Sequence, residues 1–211
     1  LLITLKTEFK QFEDTILLIK AILEIEPQNA DCFASMAICY QNLCEFEAAI
    51  NAYQKAISIR PNFFEAYINL GVALKELGKL EEAIEAYKKV LSFKPDYVEA
   101  YTNMSVALKS QGKLEESIDA CNKALAIRPD DADAYGNIGV ALQVQGKFDE
   151  AIESYNKALS IEPGNVQVKL NLAALLKTYS PTNLELNSVI ETDNSIKSEF
   201  EITFTQKQNH T

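Results

Sequence analysis

The chain has 211 residues, 47% hydrophobic and 24% charged, the proportions of a folded protein rather than a disordered one. Its formal net charge is −10 and its isoelectric point about 4.7, which argues against a nucleic-acid backbone or an anionic membrane as partner. No run of about 18 apolar residues occurs, so no membrane-spanning helix is expected.

The first ten residues, LLITLKTEFK, contain no methionine, basic run or cleavage site. They read as a cut from a longer protein rather than as a signal peptide. Residues 1–9 are expected to end a truncated first helix, and residues 10–26 to form the second helix of the same partial unit, 1–29. Phe12, Ile16, Ile19, Leu23 and Ile25 supply that helix's apolar face.

Proline sets the register beyond this point. Pro27, Pro61, Pro95, Pro129 and Pro163 stand at strict 34-residue intervals, with no insertion between them. A fixed period of this size signals a stacked repeat rather than a closed globule. Four complete units follow, 30–63, 64–97, 98–131 and 132–165, each expected to hold two amphipathic helices and a turn. The first helix of each unit carries an apolar stripe at i, i+3, i+4 and i+7. In order it reads Phe33, Met36, Ala37, Tyr40; Tyr67, Leu70, Gly71, Leu74; Tyr101, Met104, Ser105, Leu108; Tyr135, Ile138, Gly139, Leu142. The small third member lets the partner helix approach closely. Gly78, Gly112 and Gly146 supply the left-handed backbone that ends this helix. Cys44 takes the same place in the first unit, where glycine would be expected.

The second helix has its own pattern, as in Leu80, Ala83, Ile84, Tyr87, Val90, Leu91 and Phe93, with Ala49, Ala83, Ser117 and Ala151 as small contact residues. Proline stops it. Asn62, Asp96 and Asp130 come next, each with an acid three residues on (Glu65, Glu99, Asp133), and read as capping-box starts. Of the four cysteines, Cys32 and Cys39 stand where other units have alanine, and Cys121 where they have tyrosine. No two share a CxxC spacing, so no metal, redox or cofactor site is expected, and the scattered thiols suit a reducing, cytoplasmic compartment.

Residues 166–178 form one further first helix, with Leu172, Ala173 and Leu176 on register. Ser180-Pro181 starts a short capping helix, expected over 179–191. From there the composition turns polar, and residues 192–211 are expected to be disordered or to begin a further domain. The single histidine, His210, lies in this tail.

These residues resemble the tetratricopeptide repeat (TPR) family, whose pattern has a 34-residue period. In unit 30–63 the match is carried by Phe33, Met36-Ala37, Tyr40, Ala49, Tyr53 and Pro61; the other units match apart from Ser117 and Cys121. The resemblance covers residues 1–178 and implies an all-α fold, a right-handed α-solenoid of stacked antiparallel helix pairs. Pentatricopeptide repeats differ in period and bind RNA, which the acidic charge opposes; HEAT and armadillo repeats are longer.

Opposite the apolar stripe, each first helix presents a second row of positions, which in this family line the concave groove. Ser35, Asn69, Asn103, Asn137 and Asn171 recur there at 34-residue intervals. An amide offers a donor and an acceptor, so it can grip a peptide unit whatever the side chain. Helices packed about 8–10 Å apart would meet an extended chain, rising about 3.3 Å per residue, at about every third residue. The row resembles the asparagine ladder in the TPR region of O-linked N-acetylglucosamine transferase. Beside it run Asp31, Glu65, Glu99 and Asp133; Ile38, Val72, Val106 and Val140; and Gln41, Lys75, Lys109, Gln143 and Lys177. The acids also suit the positive end of the helix dipole. Acids or asparagines stand where chaperone-tail TPR domains clamp a terminal carboxylate with basic residues, so that binding mode is not expected.

The expectation is a non-catalytic scaffold that binds other proteins or peptides in extended conformation, with no nucleic acid, membrane or cofactor. The alternatives are a recruiting arm of a larger group transferase whose catalytic domain lies outside this chain, and self-association through the exposed ends of the stack.

Overall fold

A computed structural model of the protein describes residues 2–179, with side chains over residues 10–178. Apart from Tyr179, the expected capping helix and the polar tail lie outside the described residues. Ten helices and no strand occur among the described residues. They are α1 (Leu2–Ile25), α2 (Ala30–Asn42), α3 (Phe46–Ile59), α4 (Phe64–Glu76), α5 (Leu80–Phe93), α6 (Val98–Ser110), α7 (Leu114–Ile127), α8 (Ala132–Val144), α9 (Phe148–Ile161) and α10 (Val166–Tyr179). They fall into two compact units, one through Lys113 and one from Leu114. In the first unit each helix packs on the next, and α4 also touches α2 and α6. In the second, α7 to α10 pack in sequence, and α10 also touches α8. Each unit is thus a short stretch of α-solenoid in which first helices lie side by side.

Residues 1–9 do not end a separate helix. α1 runs unbroken from Leu2 to Ile25, because nothing between Leu2 and Phe12 provides the glycine turn that splits the later units. The turns that do split them follow one scheme. At the end of α4 the Gly78 amide donates to the Lys75 carbonyl at 2.9 Å and the Lys79 amide to the Leu74 carbonyl at 2.9 Å. This paired closure needs a left-handed residue, and Gly78, Gly112 and Gly146 have φ of 73°, 77° and 76°. Cys44 closes α2 in the same way at φ 59°, its amide donating to Gln41 and that of Glu45 to Tyr40. An L-residue is strained there by its Cβ.

The helix starts lie one residue later than the capping boxes imply. Pro27, Pro61, Pro95 and Pro163 each sit second in a four-residue turn closed by amides donating to carbonyls, Asn29 to Glu26 at 3.2 Å and Phe63 to Arg60 at 3.1 Å among them. The turn uses up Asn62, Asp96 and Asp130, and the capping place passes to residues 29, 63, 97, 131 and 165. The Asn29 Oδ1 accepts from the Cys32 amide at 3.0 Å, the Asp131 Oδ1 from Ala134 at 2.8 Å and the Asn165 Oδ1 from Val168 at 3.1 Å. Phe63 and Tyr97 make no side-chain cap.

The α4–α5 and α8–α9 hairpins each close on a glycine facing a tyrosine ring. A Cβ on Gly71 would lie 2.4 Å from Tyr87 Cε1, and one on Gly139 2.6 Å from Tyr155 Cδ1. The rings of Tyr53, Tyr87 and Tyr155 are fully buried in consequence. The aromatic heads of the apolar stripe are less buried than a core stripe requires: Phe33, Tyr67, Tyr101 and Tyr135 are half-buried. Lys55 covers the Phe33 ring at 5.6 Å and Lys157 the Tyr135 ring at 5.8 Å, so each ring's outer face meets an ammonium rather than a hydrophobe. Cys39 and Cys121 are buried, Cys32 half-buried and Cys44 exposed, and none of the four is in a disulfide.

Candidate functional site

Burial separates two sides of each first helix. On α4, Ala66, Ile68, Leu70, Gly71, Ala73 and Leu74 are buried, while Glu65 is exposed and Asn69, Val72 and Lys75 are half-buried. The row at Asn69 is therefore the least covered face of the helix. In the first unit α2, α4 and α6 bring Ser35, Asn69 and Asn103 onto neighbouring first helices, with Ser35 exposed and both asparagines half-buried. In the second unit α8 and α10 do the same for Asn137 and Asn171, both half-buried.

The asparagine amides differ in occupancy. Asn171 Oδ1 accepts from Gln167 Nε2 at 3.0 Å. Among the described residues, the side chains of Asn69, Asn103 and Asn137 make no hydrogen bond. A half-buried amide left to solvent keeps a donor and an acceptor ready for a ligand. The aliphatic row beside them is half-buried at Val72, Val106 and Val140 and 45% exposed at Ile38. Lys75 and Lys109 are half-buried and Lys177 exposed; Lys75 pairs with the adjacent Glu76.

Gln41 and Gln143 are tied into the fold instead. The Tyr155 hydroxyl donates to Gln143 Oε1 at 2.8 Å, and the Tyr53 hydroxyl makes the same bond to Gln41. The signal was present in the sequence, a glutamine twelve residues before each tyrosine, but a groove reading of the row conceals it. Among the described residues Tyr87 is the exception: Lys75 stands at that position, and the buried Tyr87 hydroxyl has no partner.

The acidic row is also partly structural. Arg60, at the end of α3, grips Asp31 with both guanidinium nitrogens, Nη1 lying 2.9 Å from Oδ1, and this bond holds the Asp31 carboxyl below its usual value. In the second unit Glu162 stands where Arg60 does, so the start of α8 gathers acid upon acid. Partial desolvation first, then the charges of Asp131 and Glu162, push the exposed Asp133 carboxyl upward. Asp131 itself caps α8 and meets Arg128 at 3.3 Å.

Two clefts lie away from the asparagine row, against the proline turns. One of about 480 Å³ is lined by Pro27, Asp31 and Arg60 among others, and one of about 520 Å³ by Pro129, Tyr135 and Lys157. Among the described residues no group of three or more His, Cys, Asp or Glu is placed to hold a metal ion, and no helix is long and apolar enough to cross a membrane.

Comparison with known proteins gives two sequence patterns. One described as Tetratricopeptide repeat matches residues 132–165, and one described as TPR repeat matches 45–78, 73–112 and 106–146. Together they span 45–165, or 121 of 211 residues. No curated protein matches the chain. Among solved structures, a crystal structure of MamA is 27% identical with a TM-score of 0.68, over 74% of this chain and 91% of that one. YrrB, described as a TPR protein with an unusual peptide-binding site, is 18% identical with a TM-score of 0.62, over 87% and 97%. Pseudomonas aeruginosa pilF is 19% identical with a TM-score of 0.70, over 92% and 90%.

Proposed function

The chain belongs to the tetratricopeptide repeat family of protein-interaction scaffolds, and from that premise we propose that it binds an extended segment of a partner protein along the asparagine face of its first helices. One observation carries the reading. Asn69, Asn103 and Asn137 recur at one repeat position, half-buried, with amides that no described residue satisfies. A peptide backbone would replace water at these amides, its carbonyl accepting from the amide N–H and its N–H donating to the amide oxygen, each bond worth about 0.5–1.5 kcal/mol net. The half-buried valines at positions 72, 106 and 140 would rest against apolar side chains of the same segment.

The mixed lining of acid, amide, valine and lysine favours a segment of mixed composition over a highly charged one. The peptide-binding description of YrrB, whose fold this chain shares, is compatible with that use of the scaffold. The test is an array of capped, extended peptides probed with the whole protein. Binders that Asn69→Ala and Asn103→Ala both weaken support the reading; binders indifferent to both, or captured equally by an unfolded control, overturn it.

A further inference from the structure

The hydroxyl of Tyr87 is fully buried and, of the three buried second-helix tyrosines Tyr53, Tyr87 and Tyr155, is the one without a partner among the described residues. Its counterparts show what the position is built for. Tyr53 and Tyr155 each donate to a glutamine carbonyl twelve residues earlier, on the first helix of the same hairpin. That glutamine is half-buried, so the phenol hydroxyl lies directly beneath the row beside the asparagines. In the hairpin of α4 and α5 the glutamine is Lys75, which carries donors only and cannot serve the hydroxyl. Lys75 turns instead to Glu76, a neighbour in sequence that does not share its helix face. The pair is partly exposed, and giving it up costs little.

Resting on the function proposed above, we propose that Tyr87 and Lys75 form a subsite of the peptide face that takes a carbonyl oxygen of the bound chain. Within the chain the phenol lacks an acceptor among the described residues. A ligand oxygen placed where the Gln41 and Gln143 carbonyls stand in their hairpins would accept from Tyr87 and, with the lysine swung off Glu76, from Lys75 as well. Burial and the charges of Glu76 and Glu99 keep the phenol protonated and therefore a donor. The same two carboxylates disfavour a further negative charge, so the fitting acceptor is a neutral peptide carbonyl rather than a carboxylate. Asn69, six residues earlier on the same helix and about 9 Å away along its axis, would hold a different peptide unit of the same chain. This subsite makes the α4–α5 hairpin different in kind from those of Tyr53 and Tyr155, which supply their own acceptor.

The test uses the whole protein with tyrosine rings labelled with carbon-13, titrated with N-methylacetamide as a bare peptide unit and with acetate as a bare carboxylate. N-methylacetamide is expected to shift the Tyr87 ζ-carbon, more than acetate does, with no change at Tyr53 or Tyr155. Lys75→Gln, which supplies the acceptor internally, is expected to abolish that titration shift, whereas Lys75→Met leaves it in place. For an array-selected peptide, Tyr87→Phe and Lys75→Gln are both expected to weaken binding about two- to tenfold, the worth of one hydrogen bond. No Tyr87 shift with N-methylacetamide, an equal shift in Lys75→Gln, or preference for acetate would each overturn the subsite. If Asn69→Ala and Asn103→Ala still weaken the peptide while Tyr87→Phe and Lys75→Gln do not, only the subsite fails. If none of the four matters, the proposed function fails with it.

Discussion

Tyr155 donates its buried hydroxyl to Gln143 Oε1 at 2.8 Å, a bond between the two helices of one hairpin. Tyr155→Phe removes the donor and leaves a half-buried amide oxygen without its partner, so a loss of about 0.5–1.5 kcal/mol is expected in urea unfolding. Tyr53→Phe should behave alike, since Tyr53 makes the same bond to Gln41. Tyr87→Phe should cost nothing or raise stability, because it deletes a buried hydroxyl that has no partner. Equal losses in all three variants would contradict this division.

The contact between Gly71 and Tyr87 leaves no room for a methyl group. A Cβ there would come within 2.4 Å of the ring, and Gly139 stands in the same relation to Tyr155 at 2.6 Å. Ala37 holds the equivalent place before Tyr53, so the fold accepts a methyl group there once ring and helix shift slightly. Gly71→Ala and Gly139→Ala should each lose about 1–3 kcal/mol in thermal or urea unfolding, the usual cost of overpacking.

Cys44 is the one described non-glycine residue with positive φ, at 59°. Cys44→Gly removes the strain of a side chain in the left-handed region, worth about 1–2 kcal/mol, and gives back part of it as chain entropy. A gain of about 0.5–1 kcal/mol is expected on balance. The exposed thiol has no packing to lose, which makes this the cleanest stabilising change in the chain.

Two aspartates at one repeat position should respond to pH in opposite senses. The Arg60 hydrogen bond lowers the folded value of Asp31, so its contribution is present above the unfolded value of 3.8 and is lost as pH falls through the folded one. For Asp133, burial together with Asp131 and Glu162 raises the folded value, so ionisation works against the fold as pH rises from 3.8 through that value. At pH 7, Asp31→Asn should therefore lower the melting temperature and Asp133→Asn should raise it. The Asp133 difference should narrow as the pH is brought down towards 3.8, and the Asp31 difference as it falls further, below 3.8. Glu162→Arg, which places a base where Arg60 stands, should raise the melting temperature at pH 7 as well.

The helix positions beyond Pro27 were legible because proline, glycine and small residues recur at one spacing and each has a local reason to do so. Where the reading slipped, two local rules competed. An Asn or Asp followed by an acid resembles a capping box, but proline just before it commits the first residue to a turn, and the cap passes to the next residue. Analogy with its neighbours divides the N-terminal helix, although it lacks the glycine that divides them. The least visible features were pairings across a hairpin or between helix ends. Gln143 with Tyr155 and Asp31 with Arg60 lie 12 and 29 residues apart. A row read as groove lining gives no hint that two of its members face inward.

The most direct measurement is calorimetric titration of an array-selected peptide into the whole protein and into the Asn69→Ala, Asn103→Ala double variant. Glu85→Ala with Lys88→Ala, on the exposed side of α5, serves as the control. Two lost hydrogen bonds should weaken the peptide roughly tenfold or more, while the control binds as the parent does. Unchanged affinity in a double variant that melts normally would contradict binding along the asparagine face.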